Sequence, residues 1–324
     1  MRCDKGKMKG RVWKWGGGVL ILAGMAVFGS LWVMAGSVAS PDRREIQDYH
    51  RSYLETPGEH GLVVMKRDYF EGKVPCLVVR PSGEPAKRGR LLREQLKGMA
   101  LPEYGEERGL LVLLHGRNGR KEDLLPVAER FCAVGRVCVI PDLPSHGESP
   151  VETVGFGSRE FEMALPGRVA DEAREEFGWM DLEADLWGMS MGGSFLVHAV
   201  ADDPGRWRRL VVVSSFDRLS GVVGDSLGWF MGPFQRSAEH LIGYRGGPEV
   251  AAVNPVDLAA EISLPVLVVH GDEDELISLK RGKALYGAFA GRKKFVTVPG
   301  GNHDNVLVTE APVYAGMARW LLER

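Results

Sequence analysis

Apolar and polar residues alternate along this chain in blocks whose lengths and flanks separate strands from helices. Short runs rich in Val, Ile and Leu, bounded by Gly, Pro or acids, fall near 62–67, 74–80, 110–115, 136–141, 183–187, 209–214, 265–270 and 294–299. Apolar runs of that length and β-branched content read as strands. Between them, near 123–133, 166–177, 193–202, 279–289 and 311–323, apolar positions recur with helical spacing, and a polar segment with one short helix covers 40–55. Strands that alternate with helices predict an α/β domain over 62–324, a mostly parallel twisted sheet with helices on both faces.

Two stretches interrupt that alternation. Residues 81–108 insert a charged run, Lys87-Arg88-Gly89-Arg90 and Arg93, which reads as a solvated helical excursion, the alternative being a surface for a partner or a membrane. Residues 216–263 form a short cap whose apolar stretch, Leu227-Gly228-Trp229-Phe230-Met231-Gly232-Pro233-Phe234, either lines a substrate pocket or packs as the core of a small helical insertion.

The N-terminus has a different character. Residues 1–15 carry six basic side chains against one acid, Asp4, and Gly16 to Ala39 then run for 24 residues without a charge. That is enough to cross a hydrocarbon core of about 30 Å as a helix. The basic flank stays in the cytoplasm, so the segment 16–39 predicts a single-pass signal anchor with everything after Pro41, the 40–61 linker and the domain, outside it. Ser37-Val38-Ala39 also fits signal-peptidase cleavage, so the alternative is secretion after a cut near Ala39.

Charge and cysteines change the picture little. Of 41 basic and 43 acidic residues, six and one lie in 1–15, leaving 35 against 42, an acidic surface that does not predict nucleic-acid binding. Cys3 sits in the basic flank, and Cys76, Cys132 and Cys138 read as buried free thiols, with one disulfide as the alternative. The eight histidines show no metal-ligand spacing, and neither a metal nor a cofactor is expected.

The candidate chemistry lies at the ends of strands. Gly188-Met189-Ser190-Met191-Gly192-Gly193 is a G-x-S-x-G turn after an apolar run and before a helical stretch. It fits a nucleophilic serine, Ser190, on a crowded strand-to-helix turn, with the Met191 N–H aimed at a developing oxyanion. Downstream, the run 264–269 ends in His270-Gly271-Asp272-Glu273-Asp274, with Asp274 as the candidate acid and Asp272, Glu273 and Asp217 as rivals. The run 295–298 ends in a Gly-rich loop bearing His303, the candidate base. His115, His146 and His270 read as structural and His198 as without a chemical role.

In the order Ser190, Asp274, His303, together with His115-Gly116-Arg117-Asn118-Gly119 and the segment from Asp142 to Ser149, the chain resembles the α/β-hydrolase superfamily over 62–324, most strongly over 109–324. The resemblance implies an α/β-hydrolase fold, a Ser190–His303–Asp274 triad, a second oxyanion N–H from Arg117, and an acyl-enzyme route for ester, amide or peptide substrates. Its nearest branch resembles the serine aminopeptidase-like and prolyl-oligopeptidase-like enzymes, and a serine rather than an aspartate at the elbow sets the chain apart from dehalogenases and epoxide hydrolases. An acyltransferase using the same triad, or a non-catalytic binding protein on this fold, are the other readings; the sequence is silent on oligomeric state.

Overall fold

The computed structural model describes residues 5–309 and 312–323. Arg2, Cys3 and Asp4 of the basic flank lie outside that set. Among the described residues eight strands form one sheet: β1 Leu62–Tyr69, β2 Val74–Pro81, β3 Gly109–Leu114, β4 Arg136–Pro141, β5 Ala184–Met189, β6 Trp207–Val213, β7 Val266–Gly271 and β8 Lys293–Val298. The helices are α1 Lys5–Ala39, α2 Asp48–Glu55, α3 Lys87–Gln95, α4 Leu125–Cys132, α5 Glu160–Phe177, α6 Met191–Asp202, α7 Leu219–Met231, α8 Gln235–Tyr244, α9 Pro255–Ala259, α10 Leu279–Ala288 and α11 Val313–Leu322.

The sheet order is β1-β2-β4-β3-β5-β6-β7-β8. The β1–β2 and β2–β4 pairs are antiparallel and every later pair is parallel. Strands β3, β4 and β7 are buried along their whole length, which is why they read as apolar runs, whereas the edge strand β8 is half-exposed. On β3 the pleat sends Leu110, Val112 and Leu114 to a core shared with α5 and α6, and Leu111 and Leu113 to the core under α4 and α11. The carboxyl ends of β3, β5, β7 and β8 therefore emerge together at one rim, where loops rather than packing decide the chemistry.

Three elements differ from the sequence expectation. Helix α5 begins at Glu160, not near Pro166; the proline is tolerated inside the helix because Leu165, Val169, Ala170 and Ala173 bury against the sheet, and that packing outweighs one lost backbone bond. The 81–108 insertion is helical, but it is not simply a solvated face: Gly89, Leu92 and Leu96 are buried as α3 packs on α4. In the cap, the stretch 227–234 neither lines the catalytic cleft as a unit nor packs as one: Leu227 and Met231 pack against the core, whereas Trp229, 91% exposed, and Phe230 face solvent. Cys76, Cys132 and Cys138 are buried free thiols.

Helix α1 runs unbroken from the basic flank through the uncharged stretch. Among the described residues, Ile21–Ala39 is the one helical span long and apolar enough to cross a membrane. Its outer positions Ile21, Leu22, Met25 and Phe28 are exposed, yet its last turns are not: Leu31, Ala35 and Ala39 are buried where α8 packs along the helix.

Candidate active site

Ser190 stands at the junction of β5 and α6 with φ 53° and ψ −117°, a backbone conformation that L-residues rarely adopt and that stores strain. Crowding explains the flanking glycines. A Cβ on Gly188 would strike the Gly192 carbonyl, and one on Gly192 would strike the carbonyl of Leu114 at the end of β3. The turn is clamped on both sides: the Ser190 N–H donates to Val213 O at 2.8 Å, and Ser215 Oγ donates to Ser190 O at 2.8 Å.

The loop after β8 carries His303 to the serine, with Nε2 3.1 Å from Ser190 Oγ and Nδ1 2.9 Å from Asp274 Oδ2. With Nδ1–H donating to the carboxylate, Nε2 is left as the acceptor for the serine hydroxyl. Asp274 is held in turn by its own loop: Oδ1 accepts the N–H groups of Ile277 at 2.8 Å and Leu276 at 3.1 Å. Burial works to raise the Asp274 pKa, but hydrogen bonds from His303 and Ile277 outweigh it and the carboxyl is held below its ordinary value. A close approach sets the spacing of the two loops, since a Cβ on Gly271 would collide with Gly301 O.

The rival acids are engaged elsewhere. Asp272 accepts the Gly300 N–H at 2.7 Å, Glu273 is exposed, and Asp217 binds Arg281 at 3.0 Å. The other histidines are spent on loop geometry. His115 Nε2 accepts the Leu143 N–H at 3.1 Å, His146 Nδ1 donates to Pro144 O, His270 Nε2 donates to Ile277 O, and His198 is buried with Nδ1 donating to Ser194 O. Burial drives the His146 pKa down to about 3, consistent with a neutral ring. Among the described residues, no cluster of His, Cys, Asp or Glu has the arrangement of a metal site.

The two expected oxyanion donors flank the serine. Met191 opens α6, and Arg117 follows Gly116, where an added Cβ would lie 3.4 Å from Ser190 Cβ. Among the described residues neither backbone N–H donates to another backbone group, so both are available to a ligand.

Side chains to which the sequence assigned no role build the rest of the site. Lys121 is buried between Asp142 at 2.6 Å and Glu148, while Asp142 Oδ1 accepts the Lys121 N–H at 2.8 Å; this knot fixes the loop after β4 behind the serine. A cleft of about 660 Å³ opens at Ser190 and His303 and extends past Leu124, Val127 and Leu307 to Tyr314, with arginines on its wall. These side chains come from six separate stretches of sequence, and no local spacing announces them.

The model of the alpha/beta hydrolase family matches residues 111–315. A pimeloyl-[acyl-carrier protein] methyl ester esterase of Neisseria meningitidis serogroup A is 24% identical over 248 residues, covering 63% of this chain and 73% of that protein. Among solved structures, the Pyrococcus furiosus esterase Pf2001 superposes with a TM-score of 0.60 at 12% identity, over 87% of this chain and 98% of that one. A bacterial membrane phospholipase A superposes with a TM-score of 0.53 at 13% identity, over 95% of this chain and 97% of that one. At such identities the structural likeness is one of fold.

Proposed function

This chain belongs to the alpha/beta hydrolase family, and on that premise we propose that it is a membrane-anchored serine esterase working through Ser190, His303 and Asp274. The observation that carries the reading is the continuous hydrogen-bonded line from Asp274 Oδ2 through the His303 ring to Ser190 Oγ, ending on a strained serine. His303 Nε2 takes the hydroxyl proton as Oγ attacks the ester carbonyl. The imidazolium that forms is stabilised by the Asp274 carboxylate, and the Met191 and Arg117 N–H groups hold the oxyanion. His303 then returns the proton to the leaving alcohol, and water, activated by the same ring, releases the acid and restores Ser190. The esterase among its relatives favours ester over amide substrates.

Retention of α1 without cleavage is supported by its buried end. Leu31, Ala35 and Ala39 are part of the folded domain, and the Val154 N–H donates to Ala39 O at 2.9 Å. Cleavage at Ala39 would strip these contacts from the domain. An uncleaved α1 with its basic flank in the cytoplasm sets the catalytic domain on the opposite side of the membrane.

The test is labelling of the detergent-solubilised full chain with a fluorophosphonate, beside Ser190→Ala and His303→Ala. Labelling of the wild type that is lost in both variants is the expected result. A folded wild type that neither labels nor cleaves short p-nitrophenyl esters would overturn the reading.

A further inference from the structure

The catalytic cleft carries more positive charge than ester hydrolysis requires. Arg44, Arg88, Arg117 and Arg130 line it, against two carboxylates, Asp123 and the exposed Asp304. Two of the four arginines are neutralised. Arg44 Nη1 lies 3.1 Å from Asp123 Oδ1, and Arg88 Nη1 lies 3.4 Å from the buried Glu129 carboxylate. Asp123 has no capacity to spare, because it also accepts from Tyr49, His50 and the Arg120 N–H.

Arg117 and Arg130 differ from that pair. Arg117 donates from Nη1 to Ser37 O at 3.2 Å, and Arg130 donates from Nη1 to Pro126 O at 2.7 Å while its guanidinium stacks 4.0 Å from the centre of the Tyr314 ring. Among the described residues neither guanidinium has a carboxylate at ion-pair distance, and both are partly buried. Burial pulls the Arg117 pKa down, and among the described residues no carboxylate offsets it. A guanidinium stays charged at any working pH, so shielding it from water without a counter-ion costs free energy that an anion entering the cleft would restore. Each arginine has further N–H donors in a planar fork, the geometry that receives a carboxylate or phosphate by two parallel bonds. Both are also held in place, one by the end of α1 and one by an aromatic face, so little order remains to be imposed on binding.

We propose that the unpaired guanidiniums of Arg117 and Arg130, each on the wall of the catalytic cleft, receive an anion there, and that the substrate is an ester carrying an oxyanion group, a carboxylate or a phosphate, besides its scissile bond. The proposal rests on Ser190 being the esterase nucleophile. The anion takes no part in bond breaking; it orients the ester along the cleft and raises kcat/KM.

The experiment compares matched esters on the full chain in detergent. They are p-nitrophenyl butyrate, p-nitrophenyl hydrogen glutarate, 4-carboxyphenyl butyrate and a butyrate ester bearing a phosphate monoester on the alcohol. The wild type is expected to favour at least one anionic ester by about 10- to 100-fold over the neutral one, a preference that shrinks as salt is raised. In Arg130→Gln and in Arg117→Gln the anionic-to-neutral ratio falls by about 10-fold or more from its wild-type value, and Arg130→Lys retains part of it. Because the ratio is taken within one sample, partial misfolding of a variant cancels. Which anionic ester gains most identifies the oxyanion and the side of the scissile bond on which it sits. Turnover of the neutral ester with no anionic preference, or a preference unchanged in both Gln variants, overturns the subsite and leaves the esterase standing. No turnover of any ester and no fluorophosphonate labelling removes the esterase reading, and the subsite with it.

Discussion

Gly192 lies so close to Leu114 that a methyl group added to it would collide with the Leu114 carbonyl oxygen. The nucleophile turn is thus pressed against the end of β3, the strand whose following loop bears Arg117, so the serine and its candidate oxyanion donor are spaced by one steric contact. Gly192→Ala is expected to leave the sheet folded while displacing Ser190 from His303, lowering kcat on a short ester by about 100-fold or more, since a displacement near 1 Å costs that much. Steady-state kinetics beside far-UV circular dichroism checks it; an Ala variant with wild-type kcat would show that the contact does not set the geometry.

Asp274→Asn separates orientation from scaffolding. An amide keeps the size of the carboxylate but offers an N–H where His303 Nδ1 needs an acceptor, so the ring is turned to the wrong tautomer. A loss of about 10³- to 10⁴-fold in kcat is expected with little change in KM. Because the Asp274 carboxyl is held below its ordinary value, it stays ionised throughout the neutral range. Protonation of Asp274 therefore contributes nothing to any fall in wild-type activity between pH 8 and 5. A loss of only a few-fold in the Asn variant would assign the acid role to another group.

How much of this was legible in the sequence depends on whether a feature is local. The buried parallel strands were, since residues shielded on both faces must be apolar without interruption, as the six of β3 are. The elbow and the order Ser190, Asp274, His303 were legible because each residue ends a strand. The preference for Asp274 over Asp272 finds its physical reason only in the fold, where the loop turns inward the carboxylate anchored by the Ile277 and Leu276 N–H groups. The start of α5 was misplaced because propensity argues against a proline inside a helix while burial of the flanking Leu165 and Val169 decides the matter. The cleft arginines were illegible as a group, since Arg44, Arg88, Arg117 and Arg130 meet only after folding, although the charge run holding Arg88 drew notice for another reason.

Asp123 ties the linker to the rim of the cleft and should show it in acid. Burial would raise its pKa, but hydrogen bonds from His50 and Tyr49 with the charge of Arg44 bring it down to about 2. A carboxylate depressed from about 3.9 in the unfolded chain contributes stability that is fully present above pH 4 and lost as pH falls toward 2. The size is about 2–3 kcal/mol. Asp123→Asn is therefore expected to lower the urea midpoint at pH 7 by that equivalent, with the gap to wild type closing between pH 4 and pH 2. A gap that stays constant with pH would mean that the loss is one of hydrogen bonds and shape and not of charge.

The end of α1 yields the last prediction, because it bears on whether the anchor survives biosynthesis. A signal peptide that is to be removed has no reason to complete the core of the mature domain, yet Leu31, Ala35 and Ala39 are almost fully buried against the cap, and Arg245 lies over the Trp32 ring at 4.5 Å. Removing residues 1–39 would leave the Val154 N–H without its acceptor, free Arg117 Nη1 from Ser37 O, and expose the apolar face of α8 that α1 covers. An unsatisfied buried donor costs about 1–3 kcal/mol, and loss of a buried leucine about 2–5 kcal/mol. The native protein isolated from membranes is expected to keep its N-terminus upstream of Leu31 by intact-mass measurement. A chain beginning at Ser40 is expected to be cut by protease within 219–247 far sooner than the full chain, while its β-sheet core resists. A native N-terminus at Ser40, with a cap as resistant as that of the full chain, would show that the helix is a removed leader and that its packing contributes nothing to the mature fold.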